Sequence, residues 1–300
     1  MKVSVIVPIL TGDVRVCFPI DPRLEIIEVR GVSPVGRARN EGLKRATGDY
    51  VAWVDADDEI TEDWWPEILL AIEGKQPDVV TFDAESIGWK RSENFVWGIR
   101  QEDVSPLRLL RDLYRGNHRP SMAWLYVAKR SLWEGLAFDE SIHVLEDYAL
   151  LPKVIQRACS CVYVPKKLYH YVCNAESLTH VRKVEQEANA VAHVWGARLE
   201  AVPPACRGAA IWGVAIGCYW ICDCVVLHPV ASHQENVLAN HRYCEKFIRR
   251  NYFLLLREGL FSRELAFRER LHWLLRFTSV LTNCWWLQRR RWRKKARLHE

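Results

Sequence analysis

The sequence predicts an α/β fold up to about residue 185, with a mixed, mostly parallel sheet and flanking helices, followed by a helical C-terminal region. Three observations carry this expectation. Short apolar runs rich in β-branched and aromatic residues alternate with helical stretches from Met1 to about residue 180, the pattern of a parallel sheet covered by helices. From about His180 the strand-like runs stop and the periodicity is helical. Within the first part, the carboxylates Asp55, Asp57 and Asp58 directly follow the apolar run Tyr50–Val54. Open α/β sheets bind their ligands at that end of a strand.

The elements follow in order. Val3–Val7 and Leu24–Val29 read as strands. Ser33–Ala46 reads as a helix with Ser33 as N-cap, Pro34 at the first helical position and Gly48 as its stop. Strands are expected at Tyr50–Val54, Val79–Phe82, Ala123–Val127 and Ser160–Val164. Helices are expected at Glu62–Glu73, Pro106–Tyr114 and Glu146–Arg157. Beyond them, Val184–Val202, Cys206–Leu227, Gln234–Arg250 and Glu264–Leu287 read as helices. This gives two regions, 1–185 and 186–300, with no internal repeat and no low-complexity linker.

Composition fits a globular enzyme: 300 residues, 49% hydrophobic and 26% charged, enough chain to bury a sizeable core. Met1–Pro8 reads as a strand and not as a signal peptide. The ten cysteines include no C-x-x-C pair. Cys159-x-Cys161 and the Cys218/Cys222 pair lack the further ligands that zinc needs. The cysteines are therefore expected to be free, mostly buried thiols in a reducing cytosol. The net charge of +5 is concentrated at the C-terminus, where Gln288-Arg-Arg-Arg-Trp-Arg-Lys-Lys-Ala-Arg297 follows the apolar, aromatic stretch Leu271–Leu287. Two readings stand there: a segment resting on an anionic membrane surface, or a docked helix with a solvated basic tail. The tail has no partner motif for nucleic acid and the first half is rich in acids, so a nucleic-acid partner is not expected.

Carboxylates gathered at a strand end repel one another unless a cation joins them. Hard divalent cations choose oxygen ligands and bridge a carboxylate or two to a substrate's phosphates. A metal–diphosphate site is one reading of Asp55, Asp57 and Asp58; an acidic loop whose last Asp caps the next helix is the other. Glu146-Asp147 likewise reads either as a helix start placed well against the dipole or as a carboxylate available for general-base work. Among the basic residues of the first helix, only one face can reach a site. Trp53 alternates with Val54 and is expected in the core.

Taken together, Ser33-Pro-Val-Gly-Arg-Ala-Arg-Asn-Glu-Gly42, Ala46-Thr-Gly-Asp-Tyr50 and Asp55-Ala-Asp-Asp58 resemble family 2 glycosyltransferases of the GT-A fold. Met1–Pro8 is similar to the family's first strand, Trp124–Leu132 to a following segment, and Phe138–Asp147 to the stretch ending in Glu-Asp. Tyr163–Tyr171, with Ser177 and Thr179, is similar to its closing motif. The resemblance covers roughly residues 1–180, with the motifs in family order. It implies a metal-dependent, inverting transfer of a sugar from a nucleotide-diphospho-sugar to a hydroxyl of a glycan or lipid-linked acceptor. On that reading Pro8, Arg39, Asn40, Asp55 and Asp57 serve the donor. Asp55, Asp57 and Asp58 hold Mn²⁺ or Mg²⁺, and Asp147 is the base. Trp124 and Glu146, with Tyr126 nearby, lie on the acceptor side, and His170 and His180 near the diphosphate. The free cysteines point to a cytoplasmic setting, and on the membrane reading of the C-terminal segment it is peripheral to the inner face of the membrane. One departure stands out. The family's second strand ends in an Asp-rich turn that helps hold the nucleotide base, whereas here Leu24–Val29 runs into Arg30-Gly31. A degenerate, non-catalytic scaffold is therefore the rival expectation, with a nucleotidyl or sugar-phosphate transferase behind it.

Overall fold

In the computed structural model, strand β1 (Val3–Ile9) is buried on both faces and lies parallel to β2 (Leu24–Arg30) on one side and β3 (Tyr50–Trp53) on the other. Near-continuous apolar character, VSVIVPI, suits a strand covered on both faces. β2 instead alternates: Ile27 and Val29 are buried while Glu28 and Arg30 face outward. It sits at the edge of the sheet, where outward charges discourage pairing with another chain. The structure describes residues 1–12, 14–88, 94–99, 103–116, 121–143, 145–172, 194–227, 235–260 and 267–281. These fall into two units, Met1–Val181 and Arg182–Glu300, described separately.

Helix α1 (Val35–Arg45) packs back over β1. Its cap is Pro34, with no side-chain hydrogen bond, so the helix begins one residue later than expected and Ser33 stands before the cap. The expected stop also moves: Ala46 is the C-cap, in extended conformation. Gly48 has another task. A Cβ there would lie 2.8 Å from the Lys2 carbonyl and the Ser4 nitrogen, so only glycine lets the chain re-enter the sheet beside β1. Gly42 is similar, since its Cβ would meet Ile6 Cγ2 at 2.2 Å. Helix and strand touch backbone to side chain at that point.

The unit continues through β4 (Glu59–Ile60), α2 (Trp64–Lys75), β5 (Val79–Ile87), β6 (Asn94–Phe95), β7 (Asp103–Val104) and α3 (Pro106–Arg115). The Ser105 hydroxyl caps α3 by accepting from the Arg108 amide, and Gly116 closes it at φ 75°. A 3₁₀ turn at Ala123–Leu125 leads into β8 (Tyr126–Lys129), then come α4 (Glu146–Ile155) and β9 (Cys161–Val172). Among the described residues the sheet order is β2-β1-β3-β8-β5-β9-β4, with β6 on β5 and β7 on β9. The long pairings, β1–β2, β1–β3 and β5–β9, are parallel; the antiparallel ones are short. Trp53 lies in the core, edge-on to Trp133 and Phe138 at 5.2 Å from each, as its position in the strand implied.

In the second unit, α5 (Arg207–Leu227), α6 (Glu235–Leu260) and α7 (Phe267–Leu281) pack on one another. Trp212 meets Trp273 and Phe277 edge to face, and Tyr252 Oη shares a hydrogen bond with Thr278 Oγ1 at 2.9 Å. α6 runs well past the expected Arg250. Of the Val184–Val202 expectation, residues 194–199 are helical; its earlier part, 282–287 and the basic run 288–297 lie outside the described residues. Among the described residues no helix is long and apolar enough to cross a membrane. Cys161, Cys206, Cys218 and Cys244 are buried free thiols, and Cys17 and Cys159 are exposed free thiols.

Candidate active site

β3 delivers the chain from the core to a tight acidic turn. The Asp58 amide donates to the Asp55 carbonyl at 3.1 Å, closing Asp55-Ala-Asp-Asp on itself. β9 then fixes this turn through one tyrosine. Tyr169 Oη accepts from the Asp55 amide at 3.1 Å and donates to Asp58 Oδ2 at 2.7 Å, while the Val172 amide donates to Asp58 Oδ1 at 2.8 Å. Asp58 is buried, with both oxygens taken inside the protein. Burial, and then the Asp55 charge, push its carboxyl up to about 8. It anchors the turn and is not presented to a ligand, in contrast to the expected metal role. Asp55 and Asp57 are half-buried and remain as the turn's more accessible carboxylates.

Arg39, on the buried face of α1, joins the acid turn to the Glu146-Asp147 stretch. It is 4% exposed. One guanidinium nitrogen donates to Asp55 Oδ1 at 3.1 Å and the other to Glu146 Oε1, with the guanidinium 5.5 Å from the Phe138 ring centre. Only a planar fork bridges two carboxylates in this way. The sequence assigned Arg39 to donor phosphate; the structure commits it to two carboxylates. Burial, together with the Asp57 charge, raises the Asp55 carboxyl above its ordinary range, and Arg39 opposes that rise.

Asn40 acts as a clamp. Its side-chain amide nitrogen donates to the Phe138 carbonyl at 2.9 Å and to Glu140 Oε1 at 3.0 Å, and its oxygen accepts from the Phe138 amide at 2.8 Å. This pins the segment that leads into α4. Neighbouring Gly36 lets that segment pass close, since a Cβ would lie 3.1 Å from the Asp139 carbonyl. Asn40 therefore has protein partners where donor contact was expected. So has Glu146, expected on the acceptor side: it is buried and held by Arg39.

Asp147 occupies the first turn of α4 and is half-exposed. Its oxygens accept from the Tyr148 amide at 2.9 Å and, weakly, from the Ala123 amide at 3.3 Å. Burial first, then the Glu146 charge, push its carboxyl up to about 8, against the pull of Arg39. Leu145, the residue before α4, holds a left-handed backbone at φ 64°, a conformation that costs a side-chain-bearing residue energy and persists only where packing imposes it.

Trp124, expected on the acceptor side, is buried. Its ring stacks on Tyr169 at 4.4 Å and 7°, with Tyr171 at 5.9 Å and Phe95 edge-on at 5.5 Å. It backs this group, of which Phe95 and Tyr171 are the half-exposed members; Tyr126 is buried as well. Pro8 lies half-buried near the end of β1, opposite Val29. His170 lies between Glu59 and Glu85, at 3.8 and 3.5 Å. Ser177, Thr179 and His180 lie outside the described residues. Sequence reasoning missed Tyr169 and Phe138. The aromatic alternation Tyr169-His-Tyr171 was the available signal, but nothing in it told which ring would reach the acid turn.

Among the described residues no three His, Cys, Asp or Glu side chains converge as a metal cage. The residues present fit a hard cation in a narrower way. Two half-buried carboxylates, Asp55 and Asp57, repel each other, and they would supply the one or two protein oxygens that Mg²⁺-type sites use when substrate phosphates complete the shell.

Residues 14–125 match the model of the family "Glycosyl transferase family 2". The chain is similar to glycosyltransferase GlyA of Streptococcus pneumoniae, 28% identical over 171 residues, covering 54% of this chain and 24% of that protein. It is also similar to the succinoglycan biosynthesis protein ExoO of Rhizobium meliloti, 26% identical over 175 residues, covering 55% and 49%. The chain thus spans about half or less of the length of these relatives. Among solved structures, S. aureus TarS 1-349 in complex with UDP-GlcNAc aligns at TM-score 0.47 and 15% identity over 84% of this chain and 92% of that one.

Proposed function

Taking residues 14–125 as a family 2 glycosyltransferase domain, we propose that the chain transfers a sugar from a nucleotide-diphospho-sugar to a hydroxyl of a glycan or lipid-linked acceptor, with inversion and with a divalent cation. The setting is a cytoplasmic membrane surface. The observation that carries this reading is the Arg39 bridge between Asp55 and Glu146. It draws the acid turn after β3 and the start of α4, far apart in sequence, into one electrostatic unit.

Asp55 and Asp57 would hold Mn²⁺ or Mg²⁺, which supplies charge for the leaving diphosphate as it departs. Asp147 serves the acceptor. The acceptor oxygen attacks the anomeric carbon from the face opposite the diphosphate, and Asp147 takes its proton. The bond to the diphosphate oxygen breaks, and the nucleoside diphosphate leaves with the electron pair. Arg39 and Glu146 set the field at Asp147, while Asn40 and Leu145 fix where α4 begins. An acid held near 8 is a strong base once it has lost its proton.

The test is thermal shift of the purified protein against nucleoside diphosphates and nucleotide sugars, with and without Mn²⁺. A metal-dependent shift for one base supports the donor site. Asp57→Ala is expected to abolish it. Asp147→Asn is expected to keep it and lose transfer, and normal transfer by that variant sinks the base assignment. One observation favours a second reading, a non-catalytic scaffold. β2 ends at Arg30, paired with Glu28, where the family's Asp-rich turn stands. The absence of a shift for every nucleotide, from folded protein, would favour it.

A further inference from the structure

We propose that the outer face of helix α6 (Glu235–Leu260) is a docking surface for an anionic phospholipid bilayer. The sequence draws attention to the C-terminal tail; the structure draws it to this helix. Cys244, Ile248 and Leu255 are buried on the inner face of α6. On the opposite face Arg242, Lys246, Arg249, Arg250, Phe253 and Arg257 are exposed, at intervals of three and four residues that place them in one stripe. The acids between positions 242 and 258 are Glu245 and Glu258, both half-buried and paired with Arg249 and Arg257. An ordinary solvated face intersperses signs along its outermost row; this row carries positive charge alone.

Phe253 stands in the middle of that row and is 85% exposed. One exposed aromatic is common and by itself means little. Here cations precede and follow it by one turn, and the same unit bears a second apolar stripe. On α7, Phe267, Leu271 and Leu275 recur every fourth residue at 78%, 48% and 51% exposure, opposite the buried Phe277 and Val280. Seven further Lys and Arg residues follow in the sequence between 289 and 297. Guanidinium groups that meet phosphates, with an aromatic ring between them that enters the acyl boundary, are the chemistry of an anionic interface. Nucleic acid would use the cations but leaves the Phe267–Leu275 stripe without a purpose. The inference deepens the membrane placement proposed above and does not depend on the transfer chemistry.

The experiment is co-sedimentation of the full chain with vesicles of phosphatidylcholine alone and of phosphatidylcholine mixed with phosphatidylglycerol, with single-stranded RNA in a parallel arm. The wild-type chain is expected to bind the mixed vesicles, less so in high salt, and to leave the neutral ones. Phe253→Ser is expected to weaken binding about tenfold. Arg242→Gln with Arg250→Gln should weaken it about 25-fold, at about fivefold per charge. Melting temperature and any Mn²⁺-dependent nucleotide shift should stay as in wild type. Equal binding to both vesicle types overturns the proposal, as does undiminished binding by both variants or binding to RNA without binding to vesicles. A chain that binds vesicles but shows no nucleotide shift would lose the transfer reading and keep this one.

Discussion

Replacing Arg39 with methionine tests the electrostatic unit at the site. Methionine keeps the aliphatic stem beside Phe138 and removes only the charge and the fork. Breaking a buried ion pair by deleting one partner costs about 3–5 kcal/mol, because it strands the other charge. The Asp55 side chain is 29% exposed, so water screens that half of the loss. The Glu146 side chain is 5% exposed and carries most of the loss, which points to the lower end, about 3 kcal/mol. For a unit of this size that lowers the melting temperature by about 6–12 °C, measured by scanning calorimetry. Arg39→Met with Glu146→Gln removes both charges and is expected to regain about 2 kcal/mol. Arg37→Met is the control: its side chain is 56% exposed and meets Glu41 at 3.6 Å, so its loss costs under about 0.5 kcal/mol. An Arg39 variant within about 1 kcal/mol of wild type would refute this reasoning. So would a double variant no more stable than the single one.

Three further outcomes are expected. Asp147 sits near 8 in the free protein, so kcat/KM rises with pH through that region. Glu146→Gln removes the negative neighbour and moves the rise to lower pH; an unmoved profile would separate the base from Glu146. Gly42→Ala forces a methyl group against Ile6 and is expected to destabilise by about 1–3 kcal/mol in denaturant unfolding. Asp58 is raised from 3.8 to about 8. Between those values the folded protein keeps a proton that the unfolded chain has released, so Asp58 makes stability fall as pH rises across that window. Asp58→Asn should flatten this slope in melting curves taken from pH 5 to 8, and an unchanged slope would place the dependence elsewhere.

The alternation of strands and helices was legible because β-formers and helical periods are local signals. Tyr50–Trp53, Trp64–Lys75 and Pro106–Arg115 fall close to their expected places. The lengths of β5 and β9 were not, because each continues by pairing with the other, and pairing at that distance leaves no local trace. Ala123–Leu125 reads as a strand by propensity but forms a 3₁₀ turn as it enters the sheet between β3 and β5. At the site, residue types were legible and partners were not. Nothing in the spacing of Arg39, Asp55 and Glu146 told that the arginine would be held by the two acids, or that Asp58 would face Tyr169 and the Val172 amide.

The link from β1 to β2 shows no helix or strand among its described residues, yet it reaches the acidic turn: the Arg15 amide donates to the Ala56 carbonyl at 3.0 Å. Ala56 stands between Asp55 and Asp57. That single proton is therefore a built-in reporter. Its exchange with deuterium should slow when the turn is clamped and quicken when it loosens, so occupancy of the site becomes readable at a backbone position that takes no part in the chemistry.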